Sequence, residues 1–194
     1  MNMNPDVEVV VAELDAHRER FEQFCRGLTA DQLDRPVPQS TWLVRDFIAH
    51  LATIDGPVQQ MFDGMLANGE PRIGTPDGQR FEIDHWNDGQ VADRRARTVE
   101  DLLTEAAVAR ASLRASLAQF TREQLDTAIP FGGDSKRPAT TIQLVQYLRG
   151  WCKHDPMHVV DMMRALPEAR TPELASWFDD PIIDGYQRAM NSGA

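Results

Sequence analysis

The sequence has few cysteines, few basic residues and no long apolar run, and each shortage excludes a class of protein. Only two cysteines occur in 194 residues, Cys25 and Cys152, which excludes a disulfide-stabilised scaffold. The 20 basic residues face 30 acidic ones, giving a net charge of −10 and no basic cluster to neutralise a nucleic-acid backbone. No apolar run is long enough to span a bilayer, and the N-terminus lacks the basic start of a signal peptide. We therefore expect a cytoplasmic protein that contacts neither nucleic acid nor membrane.

The apolar residues that are present recur with helical spacing, and no segment shows convincing strand alternation. We predict four long helices, which form one all-α four-helix bundle over residues 1–166. Their expected extents are Pro5 to about Cys25, Thr41 to Met65, Thr98 to Phe120 and Thr140 to Leu166. Residues 167–194 should form a short C-terminal helical extension, starting at Thr171-Pro172, that packs on the bundle or on a second subunit.

Two features interrupt these predicted helices. Pro57, after Gly56, and Pro156 lie inside the second and fourth helices, where proline removes a backbone hydrogen bond, so we expect a kink at each. Arg18 is the one polar residue in the apolar stripe of the first helix.

A connection of about thirty residues separates the second and third helices. A crossover of this length permits these two helices to run parallel, and it could cover the end of the bundle where a substrate enters.

The two halves of the chain share a connector. Residues 28–38, LTADQLDRPVP, parallel residues 120–130, FTREQLDTAIP, and each connector follows one long helix and leads into another. The parallel predicts a helix–turn–helix unit used twice about an approximate two-fold axis, which would make the second and fourth helices face each other. The alternative is that capping boxes are common enough for such connectors to recur by chance.

Three histidines on the second and fourth helices form the strongest candidate site. His154 and His158 are four residues apart, so they project from one helix face and could bind one divalent ion. His50 lies on a comparable face of the second helix. Three histidine ligands would leave one coordination position open, as in catalytic metal sites.

Carboxylates near the histidines are candidates for supporting roles. Asp46 lies one turn before His50, and Asp161 lies one turn after His158, so each could orient an imidazole or accept a proton. Asp161 could also be a fourth ligand, and both could instead be solvent-facing. Asp155 points away from His154 and is a weaker candidate.

The remaining histidines and the cysteines are weaker candidates. Cys25 and Cys152 fit buried apolar positions. His17 is expected at the surface, and His85 in the crossover, where a plain loop position is favoured over the mouth of the site.

The string formed by Trp42, Asp46 and His50, followed after a long gap by His154-Asp-x-x-His158, resembles the DinB/YfiT-like superfamily. The resemblance covers roughly residues 5–166 and implies an up-down-down-up bundle, a zinc or nickel ion bound by His50, His154 and His158, and a homodimer. Relatives include transferases that use mycothiol or bacillithiol. The chain departs from many relatives by having Asp161 where they have glutamine.

Three functions are consistent with this sequence. The first is a metal-dependent transferase that activates a low-molecular-weight thiol for attack on a small-molecule substrate. The second is a hydrolase in which metal-bound water is the nucleophile, with Asp161 or Asp46 as proton acceptor. The third is a non-enzymatic metal-binding or dimeric interaction module.

Overall fold

The structure, a computed structural model, describes residues 3–68, 83–131 and 140–192. Its first helix, α1 (Pro5–Arg26), begins where the sequence predicts. The Asn4 side chain accepts a hydrogen bond from the backbone N–H of Asp6, 2.9 Å away, and Pro5 occupies the first helical turn, where its missing N–H costs nothing.

The second and fourth helices of the bundle are each broken in two. The segments are α3 (Val44–Thr53) and α4 (Asp55–Asn68) in the second helix, and α8 (Leu144–Cys152) and α9 (His154–Met162) in the fourth. A proline ring collides with the carbonyl four residues before it, and Thr53 and Cys152 precede Pro57 and Pro156 by that interval. Both helices are therefore interrupted as the prolines predict, one turn ahead of the prolines themselves.

The third bundle helix, α6 (Val99–Leu117), starts at the capping box of Thr98 and Asp101, as predicted. The other elements are short. They are α2 (Ala30–Leu33), α5 (Ile83–Ala92), α7 (Arg122–Leu125), β1 (Ala128–Phe131), β2 (Thr140–Gln143), a 3₁₀ turn (Pro167–Ala169), α10 (Pro172–Phe178) and α11 (Pro181–Ser192).

The prediction of an all-α four-helix bundle is confirmed, with one correction. Strands β1 and β2 pair as a small antiparallel hairpin, and the fourth helix begins at Leu144 instead of near Thr140. Each strand has four residues. A segment this short shows too little alternation to be recognised, and its pairing partner is supplied only by the fold.

The two connectors noticed in the sequence fold alike. Thr29 with Gln32 and Thr121 with Gln124 form equivalent capping boxes at α2 and α7. The following helices are then anchored in the same way. The N–H of Val44 donates to the carbonyl of Arg35 at 3.0 Å, and the N–H of Leu144 donates to that of Thr127 at 2.9 Å.

The core consists of two apolar clusters at opposite ends of the bundle. The first contains Phe21, Phe47, Ile48, Leu51, Leu103, Val159 and Met162, among others. The second contains Leu14, Val58, Phe62, Leu113, Leu117, Leu144 and Leu148, among others. Along α1, Leu14 belongs to the second cluster and Phe21 to the first, and Arg18 lies between them.

Arg18 belongs to a buried quartet of charges to which each bundle helix contributes one residue. The members are Arg18 on α1, Asp55 on α4, Arg110 on α6 and Asp155 on α9, and none is more than 5% exposed. Arg110 lies as far after Arg18 as Thr121 lies after Thr29, so the two arginines are equivalent positions of the repeat.

The quartet pairs each arginine with the aspartate of the other half of the chain. Two guanidinium nitrogens of Arg18 bind the two carboxylate oxygens of Asp155 at 2.9 and 3.0 Å. Arg110 Nε binds Asp55 Oδ2 at 2.6 Å. The cross distances are 3.8 Å from Arg18 to Asp55 and 3.5 Å from Arg110 to Asp155, so the four charges form one neutral network.

Two segments flank the bundle. Helix α5, which forms part of the long connection, lies against α3, where the indole of Trp42 donates to Asp88 at 2.9 Å. Helices α10 and α11 pack on α9, with Trp177 and Ile183 buried. Within the described ranges, no helix has the length and apolarity needed to cross a membrane.

The quartet makes a prediction about stability. Asp55→Ala leaves two buried arginines to share Asp155, with one positive charge uncompensated, so the free energy of unfolding should fall by about 3–5 kcal/mol. Urea unfolding monitored by circular dichroism measures the loss. Asp15 lies on the same helix as Arg18 and forms a half-exposed pair with Arg114, so in Asp15→Ala the loss should stay below about 1 kcal/mol. Equal losses in both variants would contradict a special role for the quartet.

Candidate metal centre

His50 lies in the last turns of α3, just before the break at Ile54, and is 3% exposed. The ring of Trp42 packs against it, with centroids 5.2 Å apart. Its Nδ1 is buried without a hydrogen-bond partner among the described residues, and so is Oδ1 of Asn87 on α5. Burial lowers the pKa of His50 well below its usual value, the neighbouring His158 lowers it further, and Asn87 opposes the change. His50 is therefore neutral at neutral pH.

His154 and His158 occupy successive turns of α9. The helix starts at His154 because Pro156 prevents α8 from continuing. The Nε2 atoms of the two rings are 3.2 Å apart. His154 is also stacked on Trp151, with ring centroids 4.4 Å apart and planes 13° from parallel. Burial lowers the pKa of His154 well below its usual value, and the charge of His158 adds to this effect.

The fold brings these three histidines together. One ring nitrogen from each lies within 4.8 Å of the corresponding nitrogens of the other two. In a tetrahedral site with metal–nitrogen bonds of roughly 2.0–2.1 Å, ligand nitrogens lie about 3.3 Å apart. The separation of His154 and His158 matches that spacing, and His50 needs only a small side-chain adjustment. Neutral imidazole is the form that binds a metal ion, so the geometry of the three rings and the neutral state of His50 and His154 both suit a divalent cation.

Asp161 lies behind His158, on the side away from the other two rings. Its Oδ2 is 3.0 Å from Nδ1 of His158 and accepts a second hydrogen bond from the hydroxyl of Tyr186, 2.5 Å away. A neutral His158 that donates from Nδ1 presents an unprotonated Nε2 toward His154. Asp161 does not belong to the group of mutually close ligand atoms found among the described residues. Its geometry is that of an orienting residue.

Asp46 is placed differently from its expected role. Its Oδ2 accepts the backbone N–H of Leu43 at 3.0 Å and so caps the start of α3, and it lies 3.6 Å from Arg95. Within the described part of the chain, the carboxylate of Asp46 contacts the helix start and Arg95, and no hydrogen bond joins it to the imidazole of His50. One turn of helix separates the two side chains, and the cap holds the carboxylate at the opposite end of that turn.

The prediction that His17 lies at the surface is wrong. Its Nδ1 accepts a hydrogen bond from the indole of Trp177 at 2.7 Å, so the C-terminal extension covers it. The charged neighbours of His17 in sequence gave no sign of this distant partner. His85 is exposed, and it lies on helix α5, where a loop was expected.

Both cysteines are buried, as predicted. Burial raises the pKa of Cys25 well above its usual value and raises that of Cys152 to about 12. Neither thiol is therefore ionised at neutral pH, and neither can serve as a nucleophile there.

Sequence reasoning missed two residues that support the histidines: Trp151 and Tyr186. The indole of Trp151 donates to Asp55 at 3.2 Å, which ties the ring stacked on His154 to the buried quartet. A tryptophan three residues before a histidine on an apolar helix face was a usable signal. Tyr186 carried no such signal, because its contact with Asp161 depends on how the C-terminal helix folds back.

With the site described, the comparisons with known proteins become informative. The sequence model of the family described as "Mycothiol maleylpyruvate isomerase N-terminal domain" matches residues 14–152, which include His50 and end just before His154. No curated protein sequence matches the chain.

Solved structures share the bundle. The mycothiol-dependent maleylpyruvate isomerase is 11% identical with a TM-score of 0.59, and the match covers 80% of this chain and 60% of that one. A histidine-to-alanine variant of a mycothiol-dependent maleylpyruvate isomerase gives 10% identity with the same score and coverage. YfiT from Bacillus subtilis, described as a probable metal-dependent hydrolase with an unusual four-helix bundle topology, is 19% identical with a TM-score of 0.63, covering 83% of this chain and 87% of that one.

At these identities the structural likeness shows the fold alone, and the chain spans only 60% of the isomerase's length. The family model, in contrast, matches well over half of the chain. The resemblance to the DinB/YfiT-like superfamily is thereby confirmed, and the chain belongs to the mycothiol maleylpyruvate isomerase N-terminal domain family of DinB-like four-helix bundles.

Proposed function

We propose that His50, His154 and His158 bind one zinc or nickel ion, and that the protein is a metal-dependent transferase acting with a low-molecular-weight thiol such as mycothiol or bacillithiol. The observation that carries the proposal is the convergence of three ring nitrogens within 4.8 Å of one another. Burial and the neighbouring His158 lower the pKa values of His50 and His154, and three imidazoles packed together in this way gain little free energy unless a cation joins them.

The donor set also fits a catalytic ion better than a structural one. Three protein ligands leave a tetrahedral ion one position for a small molecule. A bound divalent ion lowers the pKa of a thiol that coordinates it, so that the thiolate is available for attack on an electrophile. The task of the chain's own residues is to hold the ion and orient its ligands.

The state of the cysteines supports a thiol that comes from outside the chain. Cys25 and Cys152 are both buried, with pKa values raised above the usual range. A thiol chemistry at this site therefore needs a separate thiol molecule. The family description and the isomerase of similar fold both name mycothiol, which makes it the first candidate.

A metal-dependent hydrolase is the second candidate, because a carboxylate beside a metal site could accept a proton from water. Asp161 is in that position, but its Oδ2 already accepts hydrogen bonds from His158 and Tyr186. Asp46 is held in the cap of α3. In both carboxylates only Oδ2 is engaged in this way, and Oδ1, which has no hydrogen-bond partner among the described residues, is the atom that could accept the proton. That the protein forms a homodimer, and the alternative that it is a non-enzymatic interaction module, remain predictions from the sequence.

The metal proposal makes a direct prediction. Purified protein should bind about one zinc or nickel ion per chain, and His154→Ala combined with His158→Ala should abolish binding, because two of three ligands are lost. Metal analysis after dialysis measures this, and circular dichroism checks that the variant folds. His85→Ala, which changes an exposed histidine on α5, should bind as the wild type does. A wild type that is metal-free and refuses added zinc and nickel would contradict the proposal.

The transferase proposal predicts thiol-dependent consumption of an electrophile. Wild-type protein loaded with zinc or nickel should accelerate the reaction of mycothiol or bacillithiol with monochlorobimane, followed by fluorescence. The His154→Ala, His158→Ala variant should not. Replacing Cys25 and Cys152 by alanine should leave the thiol dependence intact, because neither thiol is ionised. Ester hydrolysis that does not require thiol would favour the hydrolase instead, and inertness toward both substrate types would favour the interaction module.

A further inference from the structure

The C-terminal extension is attached to the helix that carries two of the histidines. Helices α10 and α11 both contact α9, and each has a buried apolar residue, Trp177 on α10 and Ile183 on α11. The extension begins after residue 170, beyond the part of the chain that the family model matches. The packing of the extension beside the histidines is therefore seen in the structure of this chain and is not implied by the family match.

Polar contacts fix the extension at both ends of α9. At the start of α9, Nζ of Lys153, the residue before His154, lies 3.0 Å from Asp180 Oδ2. The other oxygen of Asp180 accepts the N–H of Ile182 at 2.8 Å and so caps α11. At the end of α9, Tyr186 donates to Asp161. Helix α11 thus spans the segment of α9 on which His154 and His158 lie.

The contact of Tyr186 differs in kind from the others, because it joins a chain of hydrogen bonds that ends at a histidine. Tyr186 Oη and His158 Nδ1 both bind the same oxygen, Asp161 Oδ2. The phenol ring lies beside the imidazole, with centroids 6.4 Å apart and planes nearly perpendicular. A carboxylate oxygen with two donors is fixed in position, and so is the imidazole bound to it.

We propose that Tyr186 is a positioning residue of the metal centre: it holds Asp161, which in turn holds the ring of His158 with Nε2 toward the ion. The inference rests on the proposed metal site. It assigns to α11 a part in ion binding, so that the bundle alone does not make a complete site. The tyrosine, the aspartate and the histidine form a series in which each member fixes the next.

The test is the metal affinity of Tyr186→Phe, which removes the hydroxyl and keeps the ring. Loss of a residue that supports a ligand typically weakens metal binding by about 10–100-fold, and we expect a loss in that range. Competition with a chelator measures the dissociation constants for zinc and cobalt. Cobalt also reports the ligand geometry, because its visible absorption should shift in the variant. Ile182→Ala, at a more exposed position of the same helix, is the matched control and should change neither.

A double-variant cycle separates positioning from packing. If Tyr186 acts through Asp161, then Tyr186→Phe should have no further effect on metal affinity in an Asp161→Ala background. If Tyr186 only packs the extension onto α9, the two losses should add. Thermal unfolding of the metal-free proteins shows whether each variant is folded.

The possible outcomes are distinct. Wild-type metal binding with an unchanged Tyr186→Phe affinity, or with additive losses, overturns the role of Tyr186 and leaves the metal proposal standing. A wild type that binds no metal overturns the proposed function and this inference with it.

Discussion

The buried quartet of Arg18, Asp55, Arg110 and Asp155 is the interaction on which the arrangement of the bundle depends. Each bundle helix contributes one charge, and each charge lies where its helix passes from one apolar cluster to the other. Burying a charge is costly unless an opposite charge meets it, so a helix that slipped by one turn would leave an unpaired charge in the core. The apolar clusters supply most of the free energy of folding, but apolar contacts tolerate small shifts. The quartet fixes the register of the four helices, and the site depends on that register.

The quartet and the prolines act at the same level of the bundle. Asp55 and Asp155 lie in the first turns of α4 and α9, directly after the breaks caused by Pro57 and Pro156. His50 lies just before the first break, and His154 begins the helix after the second. Trp151 then links the two systems, because it stacks on His154 and donates to Asp55. The charged centre thus holds the helix ends that carry the histidines.

The approximate two-fold repeat makes the asymmetry of the site informative. Leu144 is the counterpart of Val44 in the repeat, and Asp155 follows Asp55 by the same number of residues. At that spacing, His154 and His158 are the counterparts of Ile54 and Val58. One end of the bundle therefore carries imidazoles where the other end carries aliphatic side chains. Tyr186 and Asp161 add polar support only at the histidine end. The two repeats thus share a backbone arrangement, but these positions carry apolar side chains in the first repeat and polar side chains in the second.

Helical spacing, the capping residues Asn4 and Thr98, and the two prolines are local features, and they determined the helices and their breaks. The same spacing placed His154 and His158 on one face, and the repeated connector identified His50 as a partner, since equivalent helices face each other. The sequence could not show that Arg18 and Arg110 meet two aspartates, that residues 140–143 form a strand, or that Trp177 covers His17. It also gave no sign of Tyr186. Each of these depends on a contact between residues far apart in the chain, and such a contact exists only once the helices have packed. Local spacing along the helices determined which residues could bind a metal. Only the tertiary structure decided which neighbouring side chains would orient them, because those neighbours come from distant parts of the chain.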